Sequence, residues 1–188
     1  MDYEVVEFRD QGAFRAWLAD NAAKVPGIWL KFYKKGSNMP TITYAQALDE
    51  ALCYGWIDGQ LKKYDDLAYR QKFTPRRPKS IWSKRNINNV ERLTKAGLMT
   101  EAGLKEVENA KTDGRWAQAY DKPSDMDVPQ FFLTMLEQNP KANAFYKKMN
   151  KANTYAIAWR LQTAKTELTR IKRAEKIIEM LNAGQKLH

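Results

Sequence analysis

Apolar positions along this chain change period several times, and each change marks a new element. Tyr3 to Phe8 has strand composition, after which Asp10 is placed to cap a helix running through Phe14, Trp17 and Leu18. Pro26 and Gly27 introduce IWLKFY, in which Ile28, Leu30 and Phe32 alternate with Trp29, Lys31 and Tyr33, the period of two expected of a half-buried strand. Thr43 and Gln46 form a capping box ahead of YAQALDEALC, and Gly55 supplies the stop. WIDGQLKKY and LAYRQKFTP then flank Asp65-Asp66 as the arms of a hairpin. Ile57 and Leu61 are expected on one face of that hairpin, with Trp56, Asp58 and Gln60 on the other.

Beyond Pro75 and Pro78 the period becomes helical. Ser80 or Ser83 starts a helix whose stripe is Ile87, Val90 and Leu93 and whose stop is Gly97. Thr100 opens another, with Leu104, Val107 and Ala110 expected inside and Asp113-Gly114 at its end. The order β-α-β-α-β-β-α-α predicts an α+β fold, an N-terminal mainly antiparallel sheet packed with helices. YDKPSDMDVP, residues 120–129, is rich in turn formers and reads as a linker between an α+β domain of residues 1–119 and a helical domain of residues 130–188. In that all-helical C-terminal part Asp127 is expected to cap the first helix, Asn139-Pro140 to restart a second, and Asn150 to Ala164 to hold a third. A last helix from Thr166 is expected to turn Leu168, Ile171, Ala174, Ile178 and Leu181 inward, with Arg170, Arg173 and Lys176 on its other face.

Composition narrows the class. At 188 residues with 44% apolar and 29% charged side chains the chain can bury a core without covalent staples. No apolar run approaches the ~20 residues of a membrane span. The acid-bearing start MDYEVVEFRDQG lacks the apolar core of a secretory signal, so a cytoplasmic location is expected. The formal charge of +10 is uneven. Lys62 to Arg85 holds nine basic side chains against two acidic ones, and Lys141 to His188 eleven against three, with a mildly acidic stretch between. Two such zones attract polyanions or phosphorylated and carboxylated small molecules.

Much chemistry is closed by the residue inventory. The one histidine is the last residue, His188, and the one cysteine, Cys53, lies on the most periodic helix beside Leu52, where a buried and inert thiol is expected. Histidine-based triads and histidine- or thiolate-rich metal sites are therefore not expected. Neither GxxxxGK[ST] nor GxGxxG occurs after a strand, so no cofactor is expected in a familiar nucleotide cradle. Any catalysis would fall to Asp, Glu, Lys, Tyr or a hydroxyl, and Asp58, interrupting an apolar strand, is the leading acid or base.

The richest segment is Tyr54 to Arg85. Arg76-Arg77-Pro78-Lys79-Ser80-Ile81-Trp82-Ser83 leads directly into a helix, whose first N–H groups favour anions. Ser80 and Ser83 can cap that helix or offer hydroxyls, and Trp56, Tyr69 and Trp82 offer flat faces. An anionic small ligand is therefore expected among Trp56, Asp58, Arg70, Arg76, Arg77, Lys79, Ser80, Trp82 and Ser83. Nucleic acid is the alternative partner, with the basic hairpin on phosphates and the last two helices as a helix-turn-helix-like reader. An enzyme using Asp58 is the third reading.

Four strings sharpen this picture: EALCYGWIDGQ (Glu50 to Gln60), FTPRRPKSIWS (Phe73 to Ser83), DGRW (Asp113 to Trp116) and YAIAWRLQTAK (Tyr155 to Lys165). Each resembles a block of the bacterial YdeI/OmpD-associated family. The resemblance implies that residues 130–188 form an OmdA-like helical domain, and it implies an association with bacteriocin protection and resistance to cationic antimicrobial peptides rather than a defined reaction. Some members are placed in the periplasm, which is not expected of a chain beginning as this one does.

Overall fold

The computed structural model describes residues 3–121 and 126–187. His188 and the middle of the expected linker, residues 122–125, lie outside them. The chain divides into two compact units, Met1–Ala119 and Tyr120–His188.

In the first unit, local signals and elements coincide. Strand β1 (Val5–Glu7) precedes helix α1 (Gln11–Asn21), whose cap Asp10 accepts from the Ala13 N–H at 2.9 Å. Strand β2 (Ile28–Tyr33) leads to α2 (Tyr44–Cys53), where Thr43 and Gln46 complete the reciprocal capping box. The hairpin is β3 (Trp56–Lys63) and β4 (Ala68–Pro75). Its turn needs no glycine because Asp65 Oδ1 accepts from the N–H groups of Leu67 (2.8 Å) and Ala68 (2.7 Å). Helix α3 (Lys84–Lys95) is capped by Ser83, and α4 (Glu101–Thr112) by Thr100.

The four strands order as β1-β2-β4-β3, with β1 parallel to β2 and the other pairs antiparallel. One face of the sheet packs Ile28, Leu30, Phe32, Trp56 and Phe73 against Phe14 and Leu18 of α1 and Ala47 and Ala51 of α2. A second cluster joins Leu48, Leu52 and Cys53 of α2 to Trp82, Val90, Leu93, Val107 and Ala110. Helix α2 thus serves two cores, which is why its burial is nearly continuous.

Two expectations in this unit fail. The β3–β4 register slips between Asp58, opposite Phe73, and Leu61, opposite Gln71. The extra residue is a bulge and reverses the alternation after it, so Leu61 shares a face with Trp56 and Asp58, not with Ile57. Leu104 is 44% exposed, because α4 turns Gly103, Val107 and Ala110 toward α2 and α3 instead.

The second unit is all helical: α5 (Gln130–Glu137), α6 (Pro140–Tyr146), α7 (Lys151–Gln162) and α8 (Glu167–Asn182). Phe132, Leu136, Ala142, Ile157, Leu161, Ala174, Ile177 and Leu181 form its core. Asp127 does not cap α5. The helix starts after Pro129, two residues further on, with no side-chain cap, and Asp127 contributes its carbonyl oxygen to Gln162 at 3.2 Å. Leu168 and Ile171 are exposed, since the apolar stripe of α8 is covered only from Ala174 onward. Among the described residues no helix is long and apolar enough to cross a membrane.

Candidate functional site

Where β4 ends, the backbone N–H of Arg76 donates to the Gly55 carbonyl at 2.9 Å, tying the departing chain to the α2–β3 junction. Arg77 to Ser80 then forms a tight turn, closed by the Ser80 N–H on the Arg77 carbonyl (2.9 Å) and by the Arg77 N–H on Ser80 Oγ (3.0 Å). Pro78 occupies the second position and Lys79, at φ 72°, the third, the pattern of a type II turn. That third position favours glycine. A side chain there costs about 1 kcal/mol, so a lysine is held in the left-handed region by the turn around it.

Past the turn, the Arg76 guanidinium lies 3.4 Å from the centroid of the Trp82 ring, a stacked contact between two buried groups. Trp82 also meets Trp116 at 4.9 Å. Arg115 braces the assembly from the end of α4. Its Nε donates to both Asp113 oxygens (2.8 and 2.7 Å), and its Nη1 donates to the Ser80 carbonyl at 2.9 Å. The Nε–H is shared between the two carboxylate oxygens, and together with the Nη1 contact to Ser80 this fixes the guanidinium in direction as well as place. A cavity of about 500 Å³ opens between these groups, lined by Arg76, Pro78, Lys79, Glu106, Asn109, Thr112, Asp113 and Arg115.

Of the expected residues, Arg76 and Lys79 line this cavity, Arg77 and Ser80 close the turn beside it, Trp82 stacks on Arg76, and Ser83 caps α3 through the Asn86 N–H at 3.2 Å. Trp56, Asp58 and Arg70 lie apart from this turn. Trp56 sits in the sheet–helix core and donates its indole N–H to the Ala22 carbonyl at 3.1 Å, although it lines a neighbouring cavity of about 540 Å³ that Arg76 and Glu106 also border. Asp58 accepts from Tyr44 Oη at 2.8 Å and Gln71 Nε2 at 3.0 Å, and it lines neither cavity. Arg70 lies on the outer face of the sheet, 4.8 Å from the Trp29 ring centroid. Arg115 and Glu106, which sequence reasoning did not select, line this cavity. The DGRW string held the signal for the first of them, since an arginine beside a turn-forming Asp-Gly is already oriented.

The basic face of α8 is less open than its composition implies. Arg170 pairs with Glu167 at 3.1 Å, and Arg173 donates to the Arg160 carbonyl at 2.7 Å. No group of three acidic, histidine or cysteine side chains among the described residues is placed to hold a metal ion.

Cys53 is fully buried at the end of α2. Burial pushes its thiol from 9.0 up to about 11, with the Glu50 carboxylate adding to the effect. The unfolded chain therefore releases this proton first as pH rises. Stability should be fully present below about pH 9 and should decline toward pH 11, by about 2 kcal/mol from this group. Urea unfolding of the native protein and of Cys53→Ala across that range checks it: the variant should lose this part of the alkaline decline. Equal declines in the two proteins would contradict it.

Two family models match separate stretches of the chain. Residues 125–184 match the family model described as Bacteriocin-protection, YdeI or OmpD-Associated, so the resemblance carried by YAIAWRLQTAK holds for the helical unit. No curated protein and no solved structure matches the chain. Residues 6–106 match the model described as Domain of unknown function (DUF8412), and since that match spans more than half of the sequence, the chain belongs to the DUF8412 family, with an OmdA region following that domain.

Proposed function

We propose that the N-terminal unit binds a small anionic ligand in the cavity beside the Arg77–Ser80 turn. The observation that carries this reading is the convergence of Arg76, Lys79 and Arg115 on one cavity of about 500 Å³. Asp113 is already engaged by Arg115, which leaves Glu106 as the one other carboxylate on its wall. Asn109 and Thr112 add neutral hydrogen-bonding groups suited to the oxygens of a phosphate or carboxylate. Protection against bacteriocins, which describes the OmdA match, enters the proposal as the setting in which such binding would act. A cytoplasmic placement belongs to it too, and suits a chain with a single buried thiol. No observation favours acid–base chemistry at Asp58.

Lys79→Gly gives a test in which loss of binding cannot be mistaken for loss of fold. Glycine relieves the left-handed backbone, so the variant should be more stable than the native protein by about 1 kcal/mol. It should also respond less to ligand. Thermal midpoints would be measured against inorganic phosphate, pyrophosphate, nucleotides and dicarboxylates, because a ligand selective for the folded state raises the midpoint. At least one of these should raise the native midpoint, and the rise should shrink in Lys79→Gly. No response to any of them, or equal responses in both proteins, would overturn the proposal.

A further inference from the structure

The sheet's second face carries a different chemistry from its helix-covered one. Across three neighbouring strands, Lys31 of β2 stands opposite Arg70 of β4, which stands opposite Lys62 of β3. Two pairs further along, Trp29 stands opposite Lys72. Paired residues share a face, so these side chains project together, away from Phe32, Phe73 and Trp56.

Their geometry centres on one ring. Arg70, Lys62 and Lys72 lie 4.8, 5.2 and 5.7 Å from the Trp29 centroid. Their stems leave Trp29 only 4% exposed. Lys72 also reaches Tyr3 at 5.1 Å, and Lys31 stands over Tyr33 at 4.3 Å and Tyr64 at 4.9 Å. Lys31 has a carboxylate partner in Glu7 at 3.1 Å. Among the described residues none of Lys62, Arg70 and Lys72 has a carboxylate within 4 Å. Three cations gathered on one tryptophan repel each other and create a field that draws phosphates.

We infer that this face binds single-stranded nucleic acid, with Lys62, Arg70 and Lys72 moving onto successive phosphates and the uncovered Trp29 ring taking a base. Lys62 and Arg70 face each other across neighbouring strands ~5 Å apart and Lys72 stands two residues along β4 from Arg70, a spread that suits a chain of phosphates better than one small anion. Aromatic rings set among cations on a sheet favour unpaired bases, whose faces can stack, over a duplex, whose bases are already stacked. A membrane surface is disfavoured because the most exposed leucine of the hairpin arms, Leu61 at 58%, projects from the other side of the sheet. The surface shares no residue with the cavity beside the Arg77–Ser80 turn, so the two proposals stand or fall separately.

Fluorescence anisotropy of a labelled oligothymidylate against the full chain, over a series of salt concentrations, tests the inference. The native protein should bind, with affinity falling steeply as salt rises. A double variant, Lys62→Ala with Lys72→Ala, should lose tenfold or more in affinity at low salt. Its salt slope should be shallower by ~1.4, the share of two phosphate contacts on a single strand. Both substitutions are of surface cations, and an unchanged thermal midpoint would show the variant folded. Lys79→Gly should leave oligonucleotide binding unchanged. The inference is overturned by an unchanged slope in the double variant, by a duplex of equal length binding as tightly as the single strand, or by binding to phosphatidylserine vesicles without binding to the oligonucleotide.

Discussion

Gly103→Ala should be among the most damaging single-methyl changes in the protein, although it improves the helix it sits in. Within α4, alanine is favoured over glycine by about 1 kcal/mol. The cost lies in what α4 docks against. Thr100 donates to the Cys53 carbonyl twice, from its N–H at 3.1 Å and its Oγ1 at 2.6 Å, so the first turn of α4 answers one of the orphan carbonyls at the end of α2. Gly103 lies one turn further in, and a methyl group there would stand 2.8 Å from the Leu52 carbonyl oxygen and closer still to that of Cys53. These are backbone atoms of a buried helix, with no rotamer to change. Helix α4 must shift, and overpacking against rigid backbone costs about 3 kcal/mol, more than the propensity gain. Urea midpoints at constant m should therefore fall for Gly103→Ala. Gly59→Ala is the control, because its added methyl group meets the Lys72 Cβ at an ordinary 3.5 Å. Similar losses at the two positions would show that close backbone approach is not the cause. Ligand response should weaken as well, since α4 carries Glu106 and Asn109 into the cavity wall.

The second large effect is expected at Glu50, a carboxylate only 3% exposed. It accepts from Arg15 Nη1 at 2.7 Å and from Gln11 Nε2 at 2.6 Å, joining α1 to α2. Arg15 continues the link through its Nη2, which donates to the Leu98 carbonyl at 2.9 Å in the segment between α3 and α4. Burial works against the Arg15 charge, but the hydrogen bond and attraction to Glu50 outweigh it and hold its pKa above the ordinary value. The two deletions are unequal. Without Glu50, the arginine is exposed enough to turn toward water; without Arg15, the carboxylate stays buried with one neutral donor. Arg15→Ala should therefore cost the more, about 3–5 kcal/mol, Glu50→Ala somewhat less, and Glu50→Gln least because it keeps the hydrogen-bonding shape. A double-mutant cycle should return a clear coupling energy between the two positions. Additive losses would mean that the pair does not act as one.

What was legible in the sequence was local. The capping box at Thr43, the caps at Asp10 and Thr100, the helix start at Thr166 and the stops at Gly55 and Gly97 are decided within four residues of one another, and each is where it was expected. The α+β order and the helical C-terminal part follow from them. What failed was the choice of partner face. Leu104 looked like core because its spacing to Val107 suits a helix, yet the close approach of α2 selects the neighbouring Gly103. Trp56 was expected to offer its flat face to a ligand; its indole meets Trp17 at 6.0 Å across the core, and the residue also borders the neighbouring cavity. Half of the candidate site was likewise local, since the turn at Arg77-Pro78-Lys79-Ser80 announces itself. The other half was not: Arg115 reaches Ser80 from 35 residues away, a pairing set only by the packing of α4.

The bulge in β3 bears on how this protein meets copies of itself. In the order β1-β2-β4-β3 the outer strands are β1, only 3 residues long, and β3, with 8. A regular β3 would present a row of unsatisfied N–H and C=O groups, the template on which another chain extends a sheet. Instead its hydrogen-bonding ladder is interrupted between Asp58 and Leu61, and the far side of the break carries Lys62 and Lys63. A second molecule laid along this edge would find no continuous register, the cation of Lys62, and a Lys63 already paired with Asp66. The irregularity that turns Leu61 to an unexpected side is thus also a guard against fibrous self-association, and it leaves the cations of the hairpin free to face outward without their strand becoming adhesive.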